Sequence, residues 1–200
     1  MDNDKSNITI GLPKANGAVF WAPAGTSLPS DATTSLSGSY INLGYISEDG
    51  VTHSTSEESN SVVAWGKDVV ITAQTAYSES VSINLLETVR ASVLQFIRGT
   101  ANVTIDGDGA VASGTTGEPL PRGVLVIDTL QNNGSANPRY HRIVFGDCQL
   151  TDRSGDVTYN NSDPLTYPVS IQAYKFDSTA LTGKKVFHDE FWSAPDSQAS

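Results

Sequence analysis

Several groups of residues in this chain have types that could do chemistry. Asp106-Gly107-Asp108-Gly109 resembles the opening of a calcium loop, which needs oxygen ligands at positions 1, 3, 5 and 12. Position 5 is Ala110 and position 12 is Gly117, so the stretch reads as a solvated turn. His53, His141 and His188 lie far apart, with no His-x-x-x-His pair and a single cysteine, Cys148. That spacing does not point to zinc, and His141, between Tyr140 and Arg142, reads as a half-exposed strand residue. Serine, histidine and aspartate all occur, but no Gly-x-Ser-x-Gly elbow marks a nucleophile and no Gly-x-x-x-x-Gly-Lys loop offers to cradle phosphate. The residues therefore name no catalytic group, no metal and no cofactor. Asn7, Asn102, Asn133 and Asn160 open Asn-x-Ser/Thr triplets, which arise by chance in so Ser/Thr-rich a chain.

Two acidic pairs, Glu48-Asp49 and Glu57-Glu58, are either solvated turns or a charged inter-subunit loop or lumen surface. Trp65, beside Gly66, is either a core or sheet-edge anchor or an inter-subunit contact, since aromatics are enriched at interfaces.

The elements that must carry these residues follow from pattern. Two hundred residues with 38% hydrophobic content suit one domain over 1–200. The charged fraction is only 17%, as expected for strands with one polar, uncharged face. A net charge of -10 argues against binding DNA by phosphate neutralisation, which needs clustered Lys and Arg. A lone cysteine excludes a disulfide within the chain and suits a reducing compartment. Met1-Asp2-Asn3-Asp4-Lys5 lacks the pattern of a signal peptide, and no apolar run is long enough to span a membrane.

Strands are expected at Ala18–Trp21, at Tyr40–Ile46 (closed by a Ser47-Glu48-Asp49-Gly50 turn) and, weakly, at Val51–Glu58 with a break at Asn60-Ser61. Asp68–Ala76 and Ser80–Leu86 each alternate and read as a hairpin joined by Tyr77-Ser78-Glu79, with Val81, Ile83 and Leu85 on an apolar face. One helix is expected at about 88–98, capped by Thr88 or by an earlier Asn84/Glu87 pair and stopped by Gly99. Residues 22–39 and 106–123 read as loops. Gly123–Leu130 and Arg139–Phe145 form a hairpin through Asn132-Asn133-Gly134-Ser135, Asp152–Asp156 is a turn, and Tyr167–Phe176 is the last strand. About eight strands and one helix predict a mainly β fold, a β-sandwich or partial barrel with a flanking helix. Residues 1–13 form an N-terminal arm, 14–176 the core and 177–200 a C-terminal arm, in which Phe187, Phe191 and Trp192 seek a partner.

Several segments recur here in an order that resembles the major tail proteins (tail tube proteins) of long-tailed, siphovirus-type phages, most like those of actinobacterial hosts. They are Trp21 with the Gly/Pro-rich stretch after it, Tyr40-Ile41-Asn42-Leu43-Gly44-Tyr45 leading to Glu48-Asp49-Gly50-Val51, Trp65-Gly66 before Asp68-Val69-Val70, and Leu85-Leu86-Glu87-Thr88 before the helix and Gly99. Lys67 departs from the pattern, where close relatives often carry a second glycine.

The resemblance implies a structural virion protein, not an enzyme, that assembles in the host cytoplasm as hexameric rings stacked into a tail tube with extended loops and arms. Its partners would be itself, the tape measure protein and DNA transiently in the lumen, and tail terminator and tail tip proteins, with no membrane. Thr72, Gln74, Ser80, Ser82 and Asn84 are then candidates for a lumen face past which DNA slides. Glu48, Asp49, Glu57, Glu58 and Trp65, within the 47–67 segment, are candidates for an inter-ring or inter-subunit loop. The runner-up is a monomeric β-sandwich that binds carbohydrate or a cell surface through Trp21, Trp65 and Tyr167.

Overall fold

Alternation of apolar and polar residues builds most of this molecule. The computed structural model describes residues 9–14, 17–131, 139–153 and 156–193. In chain order they form β1 (Gly11–Pro13), β2 (Val19–Pro23), β3 (Ile41–Asn42), β4 (Ile46–Val63), β5 (Val69–Leu85), α1 (Ala91–Arg98), β6 (Val103–Ile105), β7 (Val111–Ser113), β8 (Gly123–Gln131), β9 (Arg139–Asp152), β10 (Tyr167–Ala173), β11 (Phe176–Asp177), β12 (Lys185–Val186) and β13 (Asp189–Trp192). Nine strands make one extended antiparallel sheet in the order β3-β2-β8-β9-β10-β5-β4, with β1 beside β8 and β13 beside β9. No helix among the described residues is long and apolar enough to cross a membrane.

The main core lies on one face of the sheet. Val81, Ile83 and Leu85 of β5, Val169 and Ile171 of β10, Phe145 and Leu150 of β9, and Leu125 and Ile127 of β8 pack there against Val93, Phe96 and Ile97 of α1. Each fully buried Val, Leu or Phe contributes roughly 1.5–3 kcal/mol. A second cluster lies on the other face, where Val124, Val126 and Val144 meet Leu28, Leu36, Tyr40 and Phe191. Strand β8 is thus covered on both sides, which explains its unbroken apolar run.

The 24–40 segment is hooked to that second face by charge. Arg142 grips Asp128 with two bonds, Nε to Oδ1 at 2.6 Å and Nη2 to Oδ2 at 2.8 Å. Lys14 adds a third contact to Asp128 at 2.9 Å. The remaining donor of Arg142, Nη1, reaches the carbonyls of Asp31 and Thr34, each at 2.9 Å. Asp31 in turn accepts from Thr34 and Thr33, and the Thr34 hydroxyl, above all, holds its carboxyl below the usual range.

Several expectations are corrected. β4 and β5 are single strands of 18 and 17 residues, and they form the hairpin with each other. Its turn is Ala64–Asp68, where Lys67 stands at φ 69°, a left-handed conformation that favours glycine. Ser47-Glu48-Asp49-Gly50 does not end a strand. It bulges out of β4 opposite Asn84, because Ile46 pairs with Leu85 and Val51 already pairs with Ile83. The helix starts at Ala91 with Arg90 as its N-cap residue and no side-chain cap. Glu87 instead accepts from Tyr45 N and Arg90, which holds 86–90 in a turn and leaves Val89 exposed. The expected 106–123 loop contains β7, paired with β6. β10 is followed by three further short strands, and the expected turn at 132–135 lies outside the described residues.

Removing Arg142 leaves the buried Asp128 carboxylate with Lys14 as its one cation among the described residues and frees two loop carbonyls. Arg142→Ala should therefore lower the unfolding free energy by about 3–5 kcal/mol, measured by urea denaturation followed through tryptophan fluorescence. Asp128→Leu in the same chain should restore part of it.

Candidate assembly surface

The β4–β5 ribbon outruns its own core. Inward residues end at Glu79 on β5 and His53 on β4, and every residue of 54–63 and 69–78 is exposed on both faces. With a rise of about 3.3 Å per residue, this free arm extends roughly 30 Å from the body. It carries only four charges over 54–78, namely Glu57, Glu58, Lys67 and Asp68. Near its tip, Val62, Val63, Val69, Val70 and Ile71 are exposed, and Trp65 is 104% exposed. Trp65 is therefore no core or sheet-edge anchor in this chain. Contiguous exposed apolar surface of this kind marks a site of protein contact.

A one-residue irregularity divides the expected lumen set. Ala76 pairs with Glu58 but Gln74 pairs with Ser59, so Thr75 is an extra residue in β5. Alternation reverses there. Thr72 and Gln74 lie on the same face as Tyr77, Glu79 and the core residue Val81, while Ser80, Ser82 and Asn84 lie on the opposite face. The latter three continue across the sheet: Ser54, Ser80 and Gln172 share one row, and Thr52, Ser82 and Ser170 the next. Ser82 and Ser170 share a hydrogen bond of 3.1 Å. The result is an uncharged, hydroxyl-rich strip on the sheet face away from the core.

The expected contact loop is also divided. Glu48 and Asp49 stand in the bulge at the base of the ribbon, Glu57 and Glu58 point to opposite faces midway, and Trp65 occupies the tip turn. Residues 47–63 are strand, not loop. Phe187 packs on Tyr77 at 5.0 Å, Phe191 fills the second cluster and Trp192 stacks on His141 at 3.8 Å. These three aromatics thus find partners within their own chain, carried by β13 and the residues before it. The glycan platform does not form either: Trp21 packs on Phe96 at 4.9 Å and Tyr167 on the main core, far from the arm's tip.

His141 is buried, not half-exposed. It contacts Glu190 Oε1 at 2.7 Å and Thr129 Oγ1 at 3.2 Å. Burial holds its pKa below the ordinary histidine value, against the opposing pull of Glu190. A cluster that the sequence reading missed sits at the arm's root. Glu79, 3% exposed, accepts from His53 Nε2 at 3.0 Å, from His188 Nδ1 at 2.8 Å and from the Tyr77 hydroxyl at 2.7 Å. Burial raises its pKa, but the bonds from Tyr77 and the histidines outweigh burial and keep it below the ordinary value. One signal was present: Tyr77, Glu79, Val81, Ile83 and Leu85 alternate, so Glu79 occupies an inward position. Cys148 is fully buried, donates to Gly123 O and has its thiol pKa raised by burial, which makes it inert.

A body with a firm core thus projects a long, nearly uncharged ribbon with an apolar tip, a surface suited to protein contact. A family model for phage tail tube proteins matches residues 1–189. The chain belongs to that family, and it is a structural, non-catalytic component of the phage tail tube. No curated protein matches the sequence.

Because Trp65 and Val70 stand exposed at the arm's tip, away from both core clusters of the described residues, Trp65→Ser and Val70→Asp should each change subunit stability by less than about 0.5 kcal/mol. Chemical denaturation of the monomeric variants checks this. A loss beyond about 2 kcal/mol would mean that the arm folds back on the body.

Proposed function

We propose that the subunits polymerise as hexameric rings, stacked into a tail tube of a long-tailed, siphovirus-type phage of an actinobacterial host, and that the tube conducts DNA during ejection. The observation that carries this reading is the arm: about 30 Å of ribbon without a core of its own. Its natural cover is a second copy of the chain, since a tube supplies copies in register. The sheet supports a directional contact as well. Its terminal strands are β3, only 2 residues long, and β4, 18 residues long. A long edge on one side and a short one on the other favour a heterologous contact, which closes into rings or continues as a helix.

The hydroxyl-rich strip of Thr52, Ser54, Ser80, Ser82, Ser170 and Gln172 is the proposed lumen face, with Asn84 at its end. It has no cation to bind phosphate, and the net charge of -10 adds long-range repulsion of DNA. Thr72, Gln74, Glu57, Glu58 and Trp65 go instead to contacts between subunits. Tape measure, terminator and tip proteins, and assembly in the host cytoplasm, complete the proposal. Residues 1–200 act in it as one domain.

Negative-stain electron microscopy across a concentration series tests it. Wild-type chain should give hollow tubes or six-fold rings with a central hole. Val70→Asp, equally stable as a subunit, should shift tube formation to at least tenfold higher concentration, the change that about 1.4 kcal/mol per contact produces. Wild-type monomers at every concentration, even with purified tail tips as initiators, would overturn the proposal.

A further inference from the structure

We propose that His53, Glu79 and His188 form a binding site for a divalent transition-metal ion of the zinc class at the root of the arm. The three side chains come from β4, from β5 and from the residue before β13, and one ligand atom of each lies within 4.8 Å of the others. His53 Nε2 and His188 Nδ1 both converge on the same carboxylate oxygen, Oε2, at 3.0 and 2.8 Å. In a tetrahedral site with metal–ligand bonds of about 2.0–2.2 Å, ligand atoms stand roughly 3.3 Å apart. Small rotations of the two imidazoles therefore make room for an ion.

The donor set suits the ion. Two imidazoles and a carboxylate are borderline ligands that favour zinc and its neighbours over calcium or magnesium. The Tyr77 hydroxyl bonds the other oxygen, Oε1, at 2.7 Å, which is how a second group orients a ligating carboxylate. Access is provided as well. The Glu79 side chain is 4% exposed and forms the floor, while the His53 and His188 side chains are 25% and 30% exposed and form the rim. On binding, the proton on His53 Nε2 and on His188 Nδ1 passes through solvent to the other ring nitrogen, and the lone pair so freed turns to the ion; the exchange is acid–base only and needs no redox partner. Water takes the fourth position.

The place in the fold gives the ion a use. It would tie both strands of the ribbon to the C-terminal segment at the point where the arm leaves the body, and so set the arm's direction. That consequence rests on the tube reading, whereas metal binding by the single subunit does not.

The test uses tag-free, chelator-treated full-length subunit below its assembly concentration. Titration with cobalt chloride should produce visible d–d bands of tetrahedral Co2+ at one equivalent, and zinc chloride should abolish them. His53→Asn and His188→Asn should each weaken zinc binding at least tenfold by calorimetry, while His141→Asn should not change it. Imidazole resonances of the wild-type chain, with His141 assigned by its loss in His141→Asn, need no folded site variant. Zinc should shift the two other histidines and leave His141 in place. No saturable cobalt or zinc binding, or a shift at His141 alone, would overturn the proposal. Neither result would touch the tube reading, which stands or falls on microscopy.

Discussion

A two-stranded ribbon cannot bury itself. Both of its faces meet water, and its outer edges leave peptide groups unpaired. β4 and β5 accept that condition beyond His53 and Glu79. Much of the remaining structure can be understood as what such a ribbon requires: a firm body for it to leave and a root that fixes where it points.

Rigidity comes from covering the central strands twice. β8 and β9 have α1 and the main core on one side and the 24–40 segment on the other. The second cover is mostly loop, and its apolar cluster is small, so Arg142 secures it by bonding Asp128 and two loop carbonyls at once. Such a pair adds little net stability compared with apolar replacements, yet it is costly to break. It specifies where the loop sits. The root is managed differently. There the inward row of β5 changes from aliphatic to Glu79, which faces two histidines and Tyr77. A polar cluster at the end of a core binds the last inward residues without extending the apolar face into the arm.

The body was legible in the sequence and the arm was not. The apolar faces of Val81-Ile83-Leu85 and Val169-Ile171-Ala173 follow from period-2 alternation, and Val93, Phe96 and Ile97 from helical spacing, all of which lie in one cluster; Val89, which the same spacing places on that helical face, precedes the helix and is exposed. The ribbon was misread because its irregularities imitate punctuation. The extra residue Thr75 reverses the phase of β5, and a phase break between two alternating stretches looks like two strands. Ser47-Glu48-Asp49-Gly50 has the composition of a turn, but three of its residues are surplus in a bulge, where Gly50 takes φ 72°. The true turn carried only Gly66 and a lysine in a left-handed conformation. The root cluster was invisible for a different reason: His188 meets Glu79 across 109 positions, and only the strand pairing brings them together.

The bulges also bear on how a ribbon like this presents its two faces. Without Thr75, the residues exposed beyond the core would continue the same alternation, and the hydroxyl strip of Ser80 and Ser82 would run straight into Thr72 and Gln74. With it, the strip's face runs into the arm only through Ser56 and Ser78 to Glu58 and Ala76, and beyond Thr75 the arm turns a different set of residues to each side. Bulges also bend a strand and increase its twist. One inserted residue thus separates the strip and the root of the arm from the arm's outer part, in sequence and in direction. In the proposed tube these two surfaces have opposite tasks, since one must repel adhesion and the other must adhere. A continuous, unbulged ribbon would force the same face to do both.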